Sequence, residues 1–393
     1  MDVLADLARR RALGLLAGAA AGSMTFRAVL AAAVASPTPE DPAEIVRAAA
    51  LTGLELTKEE ADLMVRGIGE MQADLAKLRA VSLDNGVPPA LVFEPMAREV
   101  KPPTGSAQRE MKVSKPSSPD DLAFLTVAET SSLLRTRKVS STELTRAYLD
   151  RIRRYDPELK AVVTLTEDLA LSQAKKADDE IAAGKYRGPL HGVPWVAKDI
   201  LAVPGYPTTW GSVPYKSQMR PEKAAVVERL ENAGAVLLAK SSVGELAMGD
   251  VWFGGKTKNP WRLEEGSSGS SAGSASMTAA GLTGFAIGTE TLGSIVSPCT
   301  RCGVTGLRPT FGRVSRFGVM ALSWSMDKVG ALARSVEDCA LVFAAIQGAD
   351  PRDPSSTEAP FAWPAGAHVD RLRVGFVPAL FDEDRAAEVE KPE

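Results

Sequence analysis

Residues 266–298 read GSSGSSAGSASMTAAGLTGFAIGTETLGSIVSP, and no other stretch of the chain is as informative about its fold. The glycines and serines lead directly into a helix-compatible run of Ala, Met and Thr, and then into the strand-like residues 285–287. A flexible Gly/Ser linker has no reason to lie inside such a hydrophobic pattern. Glycines in this setting let backbone N–H groups approach a reacting atom, so the stretch predicts a functional site within a folded domain.

Two other glycine-rich motifs do not fit this stretch. A phosphate-binding loop would end in Gly-Lys-Ser/Thr or follow the G-x-G-x-x-G spacing, and neither pattern is present. A nucleophile elbow of the G-x-S-x-G type is absent too, because GSSG at residues 266–269 is one residue short. The glycines therefore favour neither a nucleotide site nor an α/β-hydrolase elbow.

Strand-like and helix-like segments alternate upstream of this stretch. Short apolar runs predict strands at residues 161–166, 193–197 and 235–239. The helix-like segments around them include one opened by a capping box of Ser140 and Glu143 and one closed by Gly234. This alternation predicts an α/β domain that contains a β-sheet.

The composition restricts the chemistry that this domain can carry. The 393 residues include 46 basic and 49 acidic side chains, and the net charge of −3 gives no electrostatic case for binding nucleic acid or an anionic membrane. Only two histidines are present, His191 and His368. A Ser-His-Asp hydrolase would need one of them, and a zinc site would need both. We therefore expect hydrolytic chemistry with another base and with neither a metal nor a cofactor.

Two of the three cysteines form a CxxC pattern, Cys299 to Cys302. Such a pair can serve redox chemistry or bind a metal, and it can also be two small residues packed near a turn. The packing interpretation is favoured, because there is no second CxxC and no thioredoxin-like context. The third cysteine, Cys339, makes the count odd, which argues against a disulfide framework.

Five motifs resemble, in the same order, those of the amidase signature family. The family's G-G-S-S-G-G-S is similar to GSSAGS at residues 269–274, and its G-T-D-T-G-G-S-I-R-x-P to GTETLGSI at residues 288–295. The other three motifs are GPLHGVP leading to AKD, then TTWGS, then GLRPT, at residues 188–199, 208–212 and 306–310. The resemblance extends from about residue 122 to at least residue 350, and it implies an α/β fold with a central mixed β-sheet flanked by helices.

The resemblance also implies the roles of individual residues. Ser294 takes the place of the nucleophile, Ser270 that of a bridging serine that follows a cis peptide bond, and Lys198 that of the base. The oxyanion would be held by backbone N–H groups in the turn before the nucleophile, at Thr291, Leu292 and Gly293. The implied activity is hydrolysis of the C–N bond of a small-molecule amide through an acyl-enzyme.

A lysine can act as this base only in its neutral form. The pKa of a free lysine is about 10.4, so almost all of it is protonated at neutral pH. Burial beside hydroxyls and backbone dipoles, away from carboxylates, can lower that pKa by several units. We therefore expect Lys198 to be buried next to Ser270, and we expect His191 to support the loop that leads to Lys198.

The chain departs from the family pattern next to the nucleophile. Leu292 stands where the family has a glycine, and Val296 stands where many members have an arginine able to bind a carboxylate. These changes, with Cys299 close by, indicate a more apolar specificity pocket. Members of the family also extend further at the C-terminus, so we expect a C-terminal part to be missing from this chain.

The N-terminal third is predicted to have other roles. Residues 1–35 resemble a signal peptide, with three arginines at residues 9–11, an apolar stretch and a cleavage site of small residues. The pattern is similar to a bacterial twin-arginine signal for export to the periplasm. A plain N-terminal helix in a cytoplasmic protein is the alternative, and Arg27 argues against a membrane span. We expect a helical accessory segment at residues 36–100, a linker at residues 101–121 and the amidase domain at residues 122–393.

Two other functions remain open at this point. One is the glutaminase-type A subunit of a tRNA-dependent amidotransferase, a member of the same family that releases ammonia from glutamine for a partner protein. The export signal argues against this function, because that reaction takes place in the cytosol. The other is a non-catalytic binding protein on a truncated amidase fold. The sequence does not indicate the oligomeric state.

Overall fold

The computed structural model describes residues 42–51, 53–83, 85, 87, 111–363, 373 and 375. Within these residues the chain forms two compact units, divided after position 84. The predicted signal peptide at residues 1–35 lies outside the described residues, as does His368. No helix in the described ranges is both long and apolar enough to cross a lipid bilayer.

Among its described residues, the first unit contains two helices, α1 (Pro42–Leu51) and α2 (Lys58–Arg79). A reciprocal capping box opens α2, in which Glu60 N donates to the Thr57 hydroxyl at 3.2 Å and Thr57 N donates to the Glu60 carboxylate at 2.8 Å. These two helices lie within the predicted helical accessory segment, residues 36–100. Leu63, on the apolar face of α2, is nevertheless 83% exposed. Apolar periodicity predicts a helix face, but it does not predict what covers that face.

The second unit contains the α/β domain. Its helices are α3 (Pro119–Ala123), α4 (Val127–Arg135), α5 (Ser141–Leu159), α6 (Glu167–Ala182), α7 (Ala225–Asn232), α8 (Ala272–Ala279), α9 (Val296–Cys302) and α10 (Val336–Ile346). Its strands are β1 (Val162–Leu165), β2 (Pro194–Lys198), β3 (Val236–Ser241), β4 (Val251–Trp252), β5 (Gly255–Lys256), β6 (Lys258–Asn259), β7 (Arg262–Gly266), β8 (Phe285–Glu290), β9 (Thr305–Leu307) and β10 (Lys328–Ala333). The end of the predicted linker, residues 101–121, thus already forms the start of α3.

Six strands form one sheet in the order β1-β3-β2-β8-β10-β9. Strand β2 runs parallel to both of its neighbours, β3 and β8. The other three pairs are antiparallel: β1 with β3, β10 with β8, and β9 with β10. The predicted α/β fold with a central mixed sheet and flanking helices is therefore confirmed. The strands predicted at residues 161–166, 193–197 and 235–239 are β1, β2 and β3.

The central strands are buried on both faces of the sheet. Every residue of β2, β3 and β8 is buried, which explains why these strands lack the apolar–polar alternation of a half-exposed strand. Trp195 and Ala197 belong to one hydrophobic cluster and Val196 to another, because successive side chains of a strand point to opposite faces. The end of β2 therefore lies deep inside the domain.

Helix α5 packs on the sheet with an apolar face that includes Leu144, Tyr148 and Ile152, all fully or almost fully buried. Its predicted capping box forms only in part. The Ser140 hydroxyl accepts a hydrogen bond from Glu143 N at 2.9 Å, but the Glu143 carboxylate pairs with Lys115 Nζ at 2.6 Å. A cation 28 residues earlier in the chain thus replaces the expected backbone donor.

Candidate active site

Lys198 is the last residue of the central strand β2, and its side chain is completely buried. Its Nζ lies 2.8 Å from the hydroxyl of Ser270 and 2.8 Å from that of Thr289. The hydroxyl of Ser271 lies at 3.1 Å, and the carbonyl of Thr289 at 3.3 Å. Within the described part of the chain, the polar atoms in contact with the amine are therefore hydroxyls and a carbonyl, and none is a carboxylate.

The protonation of Lys198 follows from this environment. Burial opposes the charged ammonium and lowers the pKa of Lys198 to about 7, although the negative charges of Asp327 and Glu290 act in the opposite direction. A large fraction of the side chain is then neutral at neutral pH. Its amine can accept a proton from a neighbouring hydroxyl.

Ser270 follows a cis peptide bond, Gly269–Ser270, as the resemblance implied. Its side chain is almost completely buried, and its carbonyl accepts a hydrogen bond from Gly244 N at 3.3 Å. The loop leaves no room for a side chain at position 269, since a Cβ there would lie 1.8 Å from the carbonyl oxygen of Gly249. The glycine at position 269 therefore allows the two backbone segments to come together beside Lys198.

Ser294 lies in the turn between β8 and α9 and is 9% exposed. Its carbonyl accepts a hydrogen bond from Ser271 N at 3.1 Å, which ties this turn to the loop that carries Ser270. The structure thus brings Lys198 and Ser270 into direct contact and joins the backbone of Ser294 to the residue after Ser270.

The predicted oxyanion turn, Thr291, Leu292 and Gly293, continues directly from β8. Gly293 has φ +83°, a left-handed conformation that favours glycine. The side chain of Leu292 is 84% exposed and so projects away from the turn. The leucine that stands in place of the family's glycine therefore points its side chain toward solvent.

The buried carboxylate of Glu290 organises the backbone next to this turn. It accepts hydrogen bonds from Ile295 N at 2.9 Å and Val296 N at 3.0 Å. Burial opposes its ionisation, but the N–H groups of Val296, Ile295 and Gly293 together hold the pKa of Glu290 below its usual value. The Glu290 carboxylate thus fixes the backbone just after the turn, at Ile295 and Val296.

Three residues that our sequence analysis did not assign also belong to the site. The Ser271 hydroxyl donates to the Thr289 carbonyl at 3.1 Å and accepts from Thr289 N at 3.2 Å, so it fastens α8 to β8 beside Lys198. Both residues lie in the quoted motifs, and their position next to predicted site residues was the available signal. The third residue, Asp327, carried no sequence signal, because it comes near Thr291 only through strand pairing.

A second buried lysine, Lys240, shows how different the environment of Lys198 is. Its Nζ lies 2.7 Å from a carboxylate oxygen of Asp199, and both side chains are fully buried. Lys240 also donates to the hydroxyl of Thr208 at 2.7 Å, and the other Asp199 oxygen accepts from Thr209 N at 3.0 Å. The TTWGS motif thus serves this ion pair, which holds the strand ends next to Lys198.

His191 has the structural role that the sequence suggested. It is buried in the loop before β2, where its Nδ1 accepts a hydrogen bond from Arg187 N at 3.2 Å and its Nε2 lies 3.1 Å from the Glu180 carboxylate. A Cβ at Gly234 would lie 2.3 Å from the imidazole ring, so the ring packs closely against the turn before β3.

The cysteines are buried and free, which agrees with the packing interpretation of the CxxC pattern. Burial raises the pKa of Cys302 to about 12 and that of Cys339 to about 12, and it raises the pKa of Cys299 as well. Thiols with raised pKa values are poor nucleophiles and poor metal ligands at neutral pH.

The family model named Amidase matches residues 143–391. The A subunit of glutamyl-tRNA(Gln) amidotransferase from Methylococcus capsulatus is 43% identical over 264 residues, which make up 66% of this chain and 54% of that protein. The native peptide amidase of Stenotrophomonas maltophilia shares 42% identity and a TM-score of 0.56, over 59% of this chain and 49% of that one. An amidase family protein from Bacillus anthracis shares 34% identity and a TM-score of 0.58, over 61% and 49% of the two chains.

The chain spans about half the length of the curated relatives that it matches. The family match nevertheless covers more than half of the 393 residues. It also includes the whole site described above, from Lys198 to Asp327. This chain belongs to the amidase family.

Proposed function

We propose that the protein hydrolyses the C–N bond of a small-molecule amide, with Ser294 as nucleophile, Ser270 as proton bridge and Lys198 as base. The observation that carries this proposal is the contact of 2.8 Å between Lys198 Nζ and the Ser270 hydroxyl, where burial lowers the pKa of the lysine to about 7. An amide resists attack, so the serine must lose its proton as it attacks, and a neutral amine is available to receive that proton.

In the first half of the proposed reaction, Ser294 Oγ attacks the amide carbonyl. The proton of Ser294 passes to the Ser270 oxygen while the proton of Ser270 passes to Lys198 Nζ. The carbonyl π electrons move to the oxygen, and backbone N–H groups of the preceding turn stabilise the negative charge. The C–N bond then breaks, and the departing amine takes a proton that returns from Lys198 through Ser270.

In the second half, a water molecule attacks the ester carbonyl of the acyl-enzyme. The same relay takes a proton from the water and returns it to Ser294 as the ester bond breaks, by the reverse of the first path. The products are a carboxylic acid and an amine, and the enzyme regains its starting protonation. No step needs an oxidant, a reductant or a second substrate other than water.

Labelling with a fluorophosphonate followed by peptide mass spectrometry tests this proposal. We expect phosphonylation at Ser294, loss of labelling in Ser294→Ala, and labelling at least about 100-fold slower in Lys198→Ala, because a positioned base contributes about 10²- to 10⁴-fold. Ser297→Ala is the matched control, since Ser297 lies in the same segment and is exposed. Equal labelling of Ser294→Ala and wild type, or a folded wild type that neither reacts nor turns over amides, would contradict the proposal. The second outcome combined with ligand binding would favour a non-catalytic binding protein.

A glutaminase-type A subunit is the second candidate, because the relative from Methylococcus capsulatus carries that name at 43% identity. The chain itself offers an observation against it. Glutamine carries an α-carboxylate, whereas the two exposed side chains next to the nucleophile, Leu292 and Val296, are apolar. Release of ammonia from glutamine, compared with release of p-nitroaniline from hexanoyl-p-nitroanilide, separates the two candidates. Faster turnover of glutamine would favour the glutaminase candidate.

A further inference from the structure

Two consecutive residues of the segment that begins β10 hold Thr291 from different sides. The Thr291 hydroxyl donates a hydrogen bond to the carboxylate of Asp327, and the Thr291 carbonyl accepts one from Lys328 Nζ at 2.8 Å. Lys328 pairs with Glu290 in the antiparallel ladder between β10 and β8, so the contact follows from the strand register. We call Thr291, Asp327 and Lys328 the Thr291 clamp.

The Asp327 side of the clamp is itself fixed. Its carboxylate accepts hydrogen bonds from Leu322 N at 2.7 Å and from Ser323 N at 3.1 Å, and the side chain is 7% exposed. The backbone closes the same loop, because Asp327 N donates to the Ser323 carbonyl at 3.1 Å. A carboxylate held by several backbone donors cannot follow a moving partner, so it restrains the Thr291 hydroxyl to one position.

The side chains after Thr291 do not hold the turn. The side chain of Leu292 is 84% exposed, and Gly293 has no side chain to pack. From the glycine onward, the backbone is held by other contacts. Ser297 N donates to the Gly293 carbonyl at 2.7 Å, Ser271 N donates to the Ser294 carbonyl at 3.1 Å, and the Glu290 carboxylate accepts from Ile295 N and Val296 N. The Thr291 clamp therefore restrains the start of the turn, and these bonds restrain its end.

We infer that Asp327 and Lys328 are positioning residues that hold the turn at Thr291 so that its backbone N–H groups are aimed at the oxyanion. This inference rests on the proposed function, because only an acyl-transfer reaction develops that charge. Preorganised donors contribute to catalysis because they need not reorient as the charge forms. Loosening the clamp should therefore lower kcat and leave KM nearly unchanged.

Asp327 has a second, electrostatic effect that Thr291 does not share. Its negative charge raises the pKa of Lys198, against the larger lowering effect of burial. The other charged groups that face this region are those of Glu290, Arg308, Arg316 and Lys328. Removing the Asp327 charge should thus both loosen the turn and lower the pKa of Lys198, whereas removing the Thr291 hydroxyl should only loosen the turn.

The test uses Thr291→Val, Asp327→Asn and the double variant, with hexanoyl-p-nitroanilide as substrate. Loss of one whole oxyanion donor costs about 10²- to 10³-fold in kcat, so we expect about a tenfold loss for a loosened turn in each single variant, with KM unchanged. The double variant should lose scarcely more than either single variant, because both substitutions act on the same hydrogen bond between Thr291 and Asp327. Thr291→Ser should restore kcat. Thr136→Val is the matched control, since it removes a threonine hydroxyl bonded to the Ser132 carbonyl at 2.7 Å outside the site.

The pH dependence of kcat/KM separates positioning from a general structural defect. The acidic limb should move to lower pH in Asp327→Asn and stay in place in Thr291→Val. Wild-type kcat in a folded Thr291→Val variant, or a loss confined to KM, would overturn the inference and leave the proposed function intact. A wild-type protein that neither turns over the anilide nor reacts with a fluorophosphonate overturns both.

Discussion

Val296 places a branched apolar side chain, 42% exposed, two residues after the nucleophile. Many members of the amidase signature family have an arginine at this position, so the residue here bears directly on which acyl groups can approach. The valine side chain itself offers no partner for a carboxylate, and a carboxylate that loses water without gaining a partner is unfavourable. At the scale of single residues, we therefore propose that the site favours uncharged acyl groups.

Val296→Arg should shift this preference. We expect the ratio of kcat/KM for succinyl-p-nitroanilide to that for hexanoyl-p-nitroanilide to rise about fivefold, since an exposed ion pair contributes up to about 1 kcal/mol. Val336→Arg at the start of α10 is the control, because Val336 is also exposed and begins a different helix. An unchanged ratio in a variant with normal Ser294 labelling would show that position 296 does not face the acyl group.

At the scale of secondary-structure elements, the ends of β2 and β3 are joined by the buried ion pair of Asp199 and Lys240, at 2.7 Å. Lys198 and Asp199 are adjacent in sequence, so a shift of this pair would move the base as well. Removing one partner of a buried pair leaves the other charge without compensation, which is more costly than the pair itself.

Asp199→Asn should therefore lower the free energy of unfolding by about 3 kcal/mol or more, as measured by urea denaturation. The double variant Asp199→Leu with Lys240→Met should be less destabilised, because no charge then remains buried. Asp179→Asn is the control, since its pair with Lys175 on α6 is exposed and should contribute less than about 1 kcal/mol. A double variant with a lower free energy of unfolding than Asp199→Asn would contradict this expectation.

At the scale of the whole molecule, the lowered pKa of Lys198 links stability to pH. Between about pH 7 and pH 10 the unfolded chain binds a proton at this lysine that the folded chain does not, so the free energy of unfolding increases with pH through this window. Lys198 contributes at most roughly 4 kcal/mol to the rise in the free energy of unfolding between pH 7 and pH 10.

Lys198→Met isolates this contribution, because methionine fills a similar volume without titrating. We expect the wild type to gain more stability than Lys198→Met when the pH is raised from 7 to 10, as followed by urea denaturation at each pH. Parallel curves for the two proteins would mean that Lys198 has an ordinary pKa in the folded state, and they would count against its role as base.

The sequence predicted the fold class because short apolar runs alternate with helix-like segments, and the resemblance to the amidase signature family implied the contact between Lys198 and Ser270. It did not predict Asp327, whose contact with Thr291 depends on the register between β10 and β8. It also did not predict that Glu143 would pair with Lys115, since that contact joins segments far apart along the chain. Local patterns thus specify elements, and long-range pairing decides which polar groups meet.

The location of Lys198 at the end of a fully buried central strand has a consequence for hydrogen exchange. Amides in such strands exchange with solvent only when most of the domain opens, whereas loops exchange through small local fluctuations. The proposed base therefore lies in a part of the domain that local fluctuations do not expose to solvent. Under rising denaturant, the protonation behaviour of Lys198 should persist until the slowest-exchanging amides are released, while the turn that carries Ser294 can loosen earlier.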